Sequence, residues 1–150
     1  MQFTKRALMK GSFAMLALAA LPRFLLAAAW PEKAFSAPGM SASLKELFGT
    51  DVTTTTDKIT LKVPEIAENG AVVPVSIKTS LENVESISIV VEKNPRPMVA
   101  NFEIPSGTLA DISSRIKMAE TSDVTAVVKT SDGLYSTAKQ VKVTIGGCGG

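Results

Sequence analysis

The sequence predicts an all-β fold, an antiparallel β-sandwich, on two observations. From Lys58 onward, apolar side chains recur at every second position in a series of short segments, the period of a strand with one buried face. Those segments follow one another at roughly the 8–12-residue spacing of a sandwich, separated by turn signals such as Asn69-Gly70 and Asp132-Gly133.

The first 29 residues stand apart. Lys5, Arg6 and Lys10 form a positive head, an apolar run extends from Phe13 to Leu21, and Ala27, Ala28 and Ala29 supply small residues for cleavage. This is the order of a removable export signal, and the break at Pro22-Arg23 leaves the apolar run too short to span a bilayer. "TKRALMK", Thr4 to Lys10, resembles a twin-arginine export motif with Lys5 in the first arginine place. The expected destination is the periplasm. Cleavage after Ala29 removes four basic residues and no acidic ones from a chain with 16 basic and 14 acidic. The remainder is then net negative, so no basic surface is expected for nucleic acid or an anionic membrane.

In "GMSASLKELFGTD" a short helix is expected. Ser41 or Ser43 caps it, Leu44, Leu47 and Phe48 form its apolar stripe, and Gly49 ends it. "VTTTTD", Val52 to Asp57, reads as a linker or edge strand. The strands follow. "KITLKVP" aligns Ile59, Leu61 and Val63; "VVPVSIK" aligns Val73, Val75 and Ile77. "VESISIVVEK" sets Ile87, Ile89 and Val91 against Ser86, Ser88 and Val90; "MVANFEI" aligns Met98, Ala100, Phe102 and Ile104. "DVTAVVKT" aligns Val124, Ala126 and Val128, and "QVKVTI" aligns Val141, Val143 and Ile145. "TLADISSRIKM" fits either a helix, by the spacing of Leu109, Ile112 and Ile116, or a strand and turn. Apolar groups on both faces of Ser88 to Val91 predict a surface that a second β chain covers.

The residue inventory excludes much chemistry. The chain has no histidine, which removes the commonest general base and zinc ligand and every His-based dyad. Its one cysteine, Cys148, can form neither an internal disulfide nor a CxxC pair. No Cys-Trp-Cys pattern of an antibody-type domain is present. Asp51, Asp57, Glu65 and Glu68 read as solvated turn carboxylates, Arg96 between Pro95 and Pro97 as a rigid loop residue or partner contact, and Tyr135 as a packing or interface residue. Met98 and Met118 read as core fillers.

Cys148 sits in "GGCGG", between Gly146, Gly147, Gly149 and Gly150. Glycines restrict the backbone least and add no side chain. The expected result is a thin arm that carries the thiol into a narrow channel of another protein. An ordinary thiol has a pKa of about 8.5, and no Lys, Arg or His lies within four residues of Cys148 to lower it.

The tail, together with "VPEIAENGAVVPVSI" (Val63 to Ile77) and "NPRPMVANFEI" (Asn94 to Ile104), resembles SoxY, the sulfur-carrier Y subunit of the Sox thiosulfate-oxidation system. The leader followed by "AWPEKAFSA" is similar too. The resemblance implies an immunoglobulin-like sandwich and a heterodimer with a SoxZ-like subunit. It implies that Cys148 is the covalent attachment point for sulfur intermediates. A haem-containing enzyme would couple thiosulfate to it, a hydrolase would release sulfate, and a sulfane dehydrogenase would act on the remaining sulfur. The chain itself would be a non-enzyme with no cofactor and no metal. The expected division is a leader over 1–29, a helix and linker over 30–57, a sandwich over 58–145 and the arm over 146–150.

Two rivals remain. An exported interaction domain could use the tail cysteine for an intermolecular disulfide. A ubiquitin-like sulfur carrier also ends in Gly-Gly, but it is a cytosolic β-grasp domain. A prenylation site is excluded because only two residues follow Cys148.

Overall fold

The computed structural model describes residues 30–144, so the leader and the residues from Ile145 to Gly150 lie outside the described part. The chain opens with two short helices, α1 (Glu32–Ser36) and α2 (Met40–Phe48). The second replaces the expected serine cap with Gly39, at φ 117°, whose carbonyl accepts the Ser43 N–H at 3.0 Å. Ser41 instead donates its hydroxyl to Asp51, and Ser43 is buried on the inner face of the helix. Gly49 ends α2 as expected: it is left-handed at φ 77° and donates its N–H to Lys45 O at 2.9 Å.

The strands are β1 (Thr54–Thr55), β2 (Ile59–Lys62), β3 (Ile66–Ala67), β4 (Val73–Thr79), β5 (Val84–Val91), β6 (Met98–Glu103), β7 (Asp111–Ile116), β8 (Ser122–Thr130) and β9 (Gly133–Val143). The larger sheet runs β1-β9-β8-β5-β6, with β3 also on β9; the smaller runs β2-β4-β7. Most pairings are antiparallel, but β1 and β3 each pair parallel with β9, on two residues apiece. The fold is therefore an all-β sandwich with two short parallel additions on one edge. "TLADISSRIKM" resolves as strand β7 paired antiparallel to β4, with Leu109 exposed before it. The β8–β9 hairpin turns at Ser131-Asp132, since Thr130 pairs with Gly133; the turn lies one residue earlier than Asp132-Gly133 implied.

The two inner faces form the main core: Ile59 and Leu61 of β2, Val73, Val75 and Ile77 of β4, Ile87, Ile89 and Val91 of β5, and Val124, Ala126 and Val128 of β8. These are the residues the two-residue period placed inward. A side chain of this kind contributes about 1.5–3 kcal/mol when fully buried. "MVANFEI" departs from that pattern. Ile89 pairs with Ala100 but Val90 pairs with Met98, so one residue is extra on β6. A bulge of this kind moves the following side chains to the other face. Ala100, Phe102 and Ile104 accordingly pack on the inter-sheet core, while Met98 belongs to a second cluster on the outer face.

That second cluster joins Leu44 of α2 to Val90, Met98, Val127 and Leu134, with Phe35, Met40, Leu47 and Phe48 packed around it. The helical stripe thus covers the outer face of the larger sheet. Val90 is fully buried within this chain, and so is Ser88, whose hydroxyl donates to Asn101 Oδ1 at 2.8 Å. The apolar outer face of Ser88 to Val91 is satisfied by the chain's own helices, and the uncovered surface expected there does not exist.

Candidate functional site

Strand β9 delivers the chain to the tail, and its last residues are held on both sides. A strand's N–H groups point alternately to opposite edges. On one edge the Lys142 N–H donates to Glu65 O at 2.9 Å and the Thr144 N–H donates to Ala67 O at 3.1 Å. Both carbonyls belong to the β3 segment, which pairs Ile66 with Lys142 and Ala67 with Val143. On the other edge β8 has not yet begun, because its first pair is Ser122 with Val141. The side chain of Thr121 takes the missing place, its Oγ1 accepting the Val143 N–H at 3.0 Å. Every backbone N–H from Lys142 to Thr144 is therefore bonded.

The supports of this end are tied to one another. Asn94, in the β5–β6 connection, donates through Nδ2 to Lys117 O at 2.8 Å and accepts the Ala119 N–H at 2.9 Å. The Lys93 N–H donates to Ser122 Oγ at 3.1 Å. These bonds pin the β7–β8 connection that carries Met118 and Thr121. Met118 in turn donates its N–H to Gly70 O at 2.7 Å. The loops between β2 and β4, β5 and β6, and β7 and β8 thus converge where β9 ends.

Cys148 and its glycines, Gly146, Gly147, Gly149 and Gly150, lie outside the described residues. Chain length alone bounds their position: four residues beyond Thr144 span at most about 14 Å. A cavity of about 860 Å³ lies at the opposite end of the sandwich. Asn83, Ile104, Leu109 and Ser131 help to line it, and Ser131 lies two residues before Gly133, the first residue of β9. Eleven strand residues separate the two ends, about 33 Å at 3.3 Å per residue. Cys148 cannot reach that cavity in its own chain.

The remaining sequence candidates fall where solvent and packing put them. Asp57, Glu65 and Glu68 are exposed, and no group of three or more metal-ligating side chains occurs among the described residues. Asp51 is held below the ordinary aspartate range by the Ser41 hydroxyl and then by Lys45, whose Nζ lies 3.2 Å away. Arg96 is exposed on the β5–β6 loop, whose Pro97 carbonyl accepts the Val91 N–H at 2.9 Å and so sets the start of β6. Tyr135 is half-buried against the inter-sheet core, and Met118 is buried in it. Thr121, Asn94 and Gly70 escaped the sequence reading as supports of the tail. The only signals were a turn dipeptide at Asn69-Gly70 and an Asn-Pro pair at Asn94-Pro95, and neither says what the turn touches.

The family model for "Sulfur oxidation protein SoxY" matches residues 44–148. Among solved structures, the sulfur carrier protein SoxY from Chlorobium limicola f thiosulfatophilum is 39% identical with a TM-score of 0.63, over 69% of this chain and 94% of that one. A chain from a structure of T cell activation by the bacterial superantigen toxic shock syndrome toxin-1 is 11% identical with a TM-score of 0.40, over 57% of this chain and 100% of that one. No curated protein sequence matches.

Proposed function

The chain belongs to the SoxY family of sulfur oxidation proteins, and from that membership we propose that it carries sulfur covalently on Cys148, at the end of a glycine arm that β9 projects from one end of the sandwich. The observation that carries this reading is the extent of the family match, which runs through residue 148 rather than stopping where the sandwich ends. A thiol within about 14 Å of a braced strand end is placed to be presented to other proteins.

The chemistry proceeds in two steps on one sulfur. The Cys148 thiol and thiosulfate join as a cysteine S-thiosulfonate, losing one proton and two electrons to a haem-containing partner. Water then cleaves the terminal S–S bond: sulfate leaves, two protons are released, and a persulfide anion stays on Cys148. A sulfane dehydrogenase acts on that remaining sulfur. In this reading the chain is the covalent substrate of partner enzymes and works in the periplasm after export, paired with a SoxZ-like subunit. With the outer face of the larger sheet covered by helices, the edge strands, among them β6 of the larger sheet and β2 and β7 of the smaller, are the backbone available to that subunit.

Intact mass of the protein from its host, growing on thiosulfate, tests the reading. Reductant-labile adducts in the wild type that are lost in Cys148→Ser are expected. A mixed disulfide with another protein as the sole adduct would instead favour an interaction domain. Replacing Gly146 and Gly147 by Val should leave folding and reaction with a small disulfide reagent unchanged. Enzyme-dependent turnover should fall, because β-branched residues stiffen and thicken the arm.

A further inference from the structure

We propose that the outer face of the smaller sheet, β2-β4-β7, is a docking surface for an acidic patch on a partner protein, one of the enzymes that act on the carried sulfur. The choice of partner rests on the carrier reading above. The face and its charge rest on residues of β2, β4 and β7 and those beside them.

Net charge predicts no basic surface, yet the fold gathers one. Strand residues alternate between faces, and Ile59, Leu61, Val75 and Ile77 pack in the core. The outward positions therefore include Lys62 on β2, Lys78 on β4 and Arg115 on β7. Lys58, just before β2, and Lys117, just after β7, continue the alternation, each exposed beside a buried isoleucine. Against these five cations the described residues of the face set one carboxylate, Asp111, whose Oδ2 lies 3.7 Å from Lys78 Nζ. With the first 29 residues set aside, the rest of the chain holds seven basic side chains against 13 acidic ones.

The register arranges these charges around an uncharged centre. Ser76 of the middle strand pairs with Lys62 on one side and Ser113 on the other, and the two serine hydroxyls lie 2.6 Å apart. Pro74 pairs with Arg115, and Val72, just before β4, is exposed. A neutral or apolar centre with a charged rim is the anatomy of a protein contact. Such a centre, with a carboxylate beside it, suits a protein surface of mixed character better than a uniformly anionic bilayer. The outer face of the larger sheet is covered by α2 through Leu44, whereas Lys62, Lys78 and Arg115 remain exposed here.

Three strands about 4.8 Å apart and up to seven residues long present roughly 350 Å². That is well under the ~800 Å² per partner of a stable complex, and it fits a transient encounter rather than a permanent subunit. A carrier must leave each enzyme after one step. Attraction between opposite charges speeds such encounters without a large interface. Lys62, Arg115 and Lys117 also lie toward the end of the sheet where β9 finishes. There the Met118 N–H bonds to Gly70 O, and Lys117 O accepts from Asn94. A protein seated on the face therefore lies beside the end of β9.

Lys62→Glu combined with Arg115→Glu reverses the charge of the face at two exposed positions. Lys33→Glu combined with Lys139→Glu makes the same change of net charge at exposed positions on other elements. Both are made in the full mature chain and assayed with its SoxZ-like subunit and the host's own Sox enzymes. With the carrier limiting at low salt, kcat/KM for thiosulfate oxidation should fall by about tenfold or more in the face variant and by less than about twofold in the control. Lys62→Gln with Arg115→Gln, which adds no negative charge to the sheet, should lose about threefold. Raising salt from about 20 to about 200 mM should lower the wild-type value several-fold and close most of the gap, because the Debye length shortens to below about 10 Å. Reaction of the thiol with a small disulfide reagent should not change. No loss in the face variants, an equal loss in the control, or a loss insensitive to salt overturns the docking face and leaves the carrier reading intact. Failure of the face variants to pair with the SoxZ-like subunit overturns it too, and gives the face to that subunit. Binding of the wild type to vesicles of phosphatidylglycerol and phosphatidylcholine, lost in the face variants, overturns it in favour of a lipid surface. Turnover that persists in Cys148→Ser overturns the carrier reading itself.

Discussion

Gly70 and Met118 meet backbone to backbone: the Met118 N–H donates to the Gly70 carbonyl at 2.7 Å, and a methyl group on Gly70 would lie 2.5 Å from Met118 O. The same methyl would lie 3.0 Å from Val143 Cγ1. The glycine is needed here for close approach, since its φ is not in the left-handed region.

Gly70→Ala should therefore destabilise the fold by about 1–3 kcal/mol, the cost of forcing extra volume against backbone. Denaturant unfolding measures it. A wild-type midpoint would mean that the two loops part without penalty.

Leu44 is almost fully buried between α2 and the outer face of the larger sheet, in one cluster with Val90 and Val127. Leu44→Ala should cost about 2–5 kcal/mol, as other buried leucines do. A second result should follow: by uncovering Val90 and Met98 it should raise binding of a hydrophobic dye under native conditions. A small loss of stability with no added dye binding would show that α2 contributes little to the cover.

Ser43 has a fully buried hydroxyl with no hydrogen-bond partner among the described residues. Ser43→Ala removes that desolvated group with little change of volume and substitutes a better helix former. Stability should rise by about 0.5–2 kcal/mol. A loss on thermal unfolding would reveal a partner for the hydroxyl.

Asp51 accepts hydrogen bonds from Ser41 and Lys45, which hold its carboxyl below the ordinary range. A depressed folded pKa contributes stability above the unfolded value, near pH 4, and that contribution is lost as pH falls through the folded value. The melting temperature of Asp51→Asn should thus lie below wild type at pH 7, and the two should converge in acid. The Asp51 side chain keeps about a third of its surface in solvent, so the gap should also narrow in high salt. A gap independent of pH would assign the effect to packing.

Much of the fold was legible because strand periodicity is a local property. Each inward residue of β2, β4, β5 and β8 is marked by neighbours two positions away, and the structure buries them all. "TLADISSRIKM" was ambiguous for the complementary reason: its strand state comes from pairing with β4, more than thirty residues earlier. The expectation of an apolar face left for a partner failed likewise, since nothing around Val90 shows that Leu44 covers it.

By itself the sequence determined the strand faces, the αL stop of α2 at Gly49, the family and the position of the one thiol. Tertiary structure alone decided that a single extra residue against β5 turns Met98 outward, and that Thr121, Glu65 and Ala67 hold the last residues of β9. Those residues are 22 to 77 positions from the strand end they hold. The bonds run through main-chain groups that every residue possesses and one threonine hydroxyl. Residue type marks a buried face, but which backbone amide meets which carbonyl is settled only when the strands have found their register.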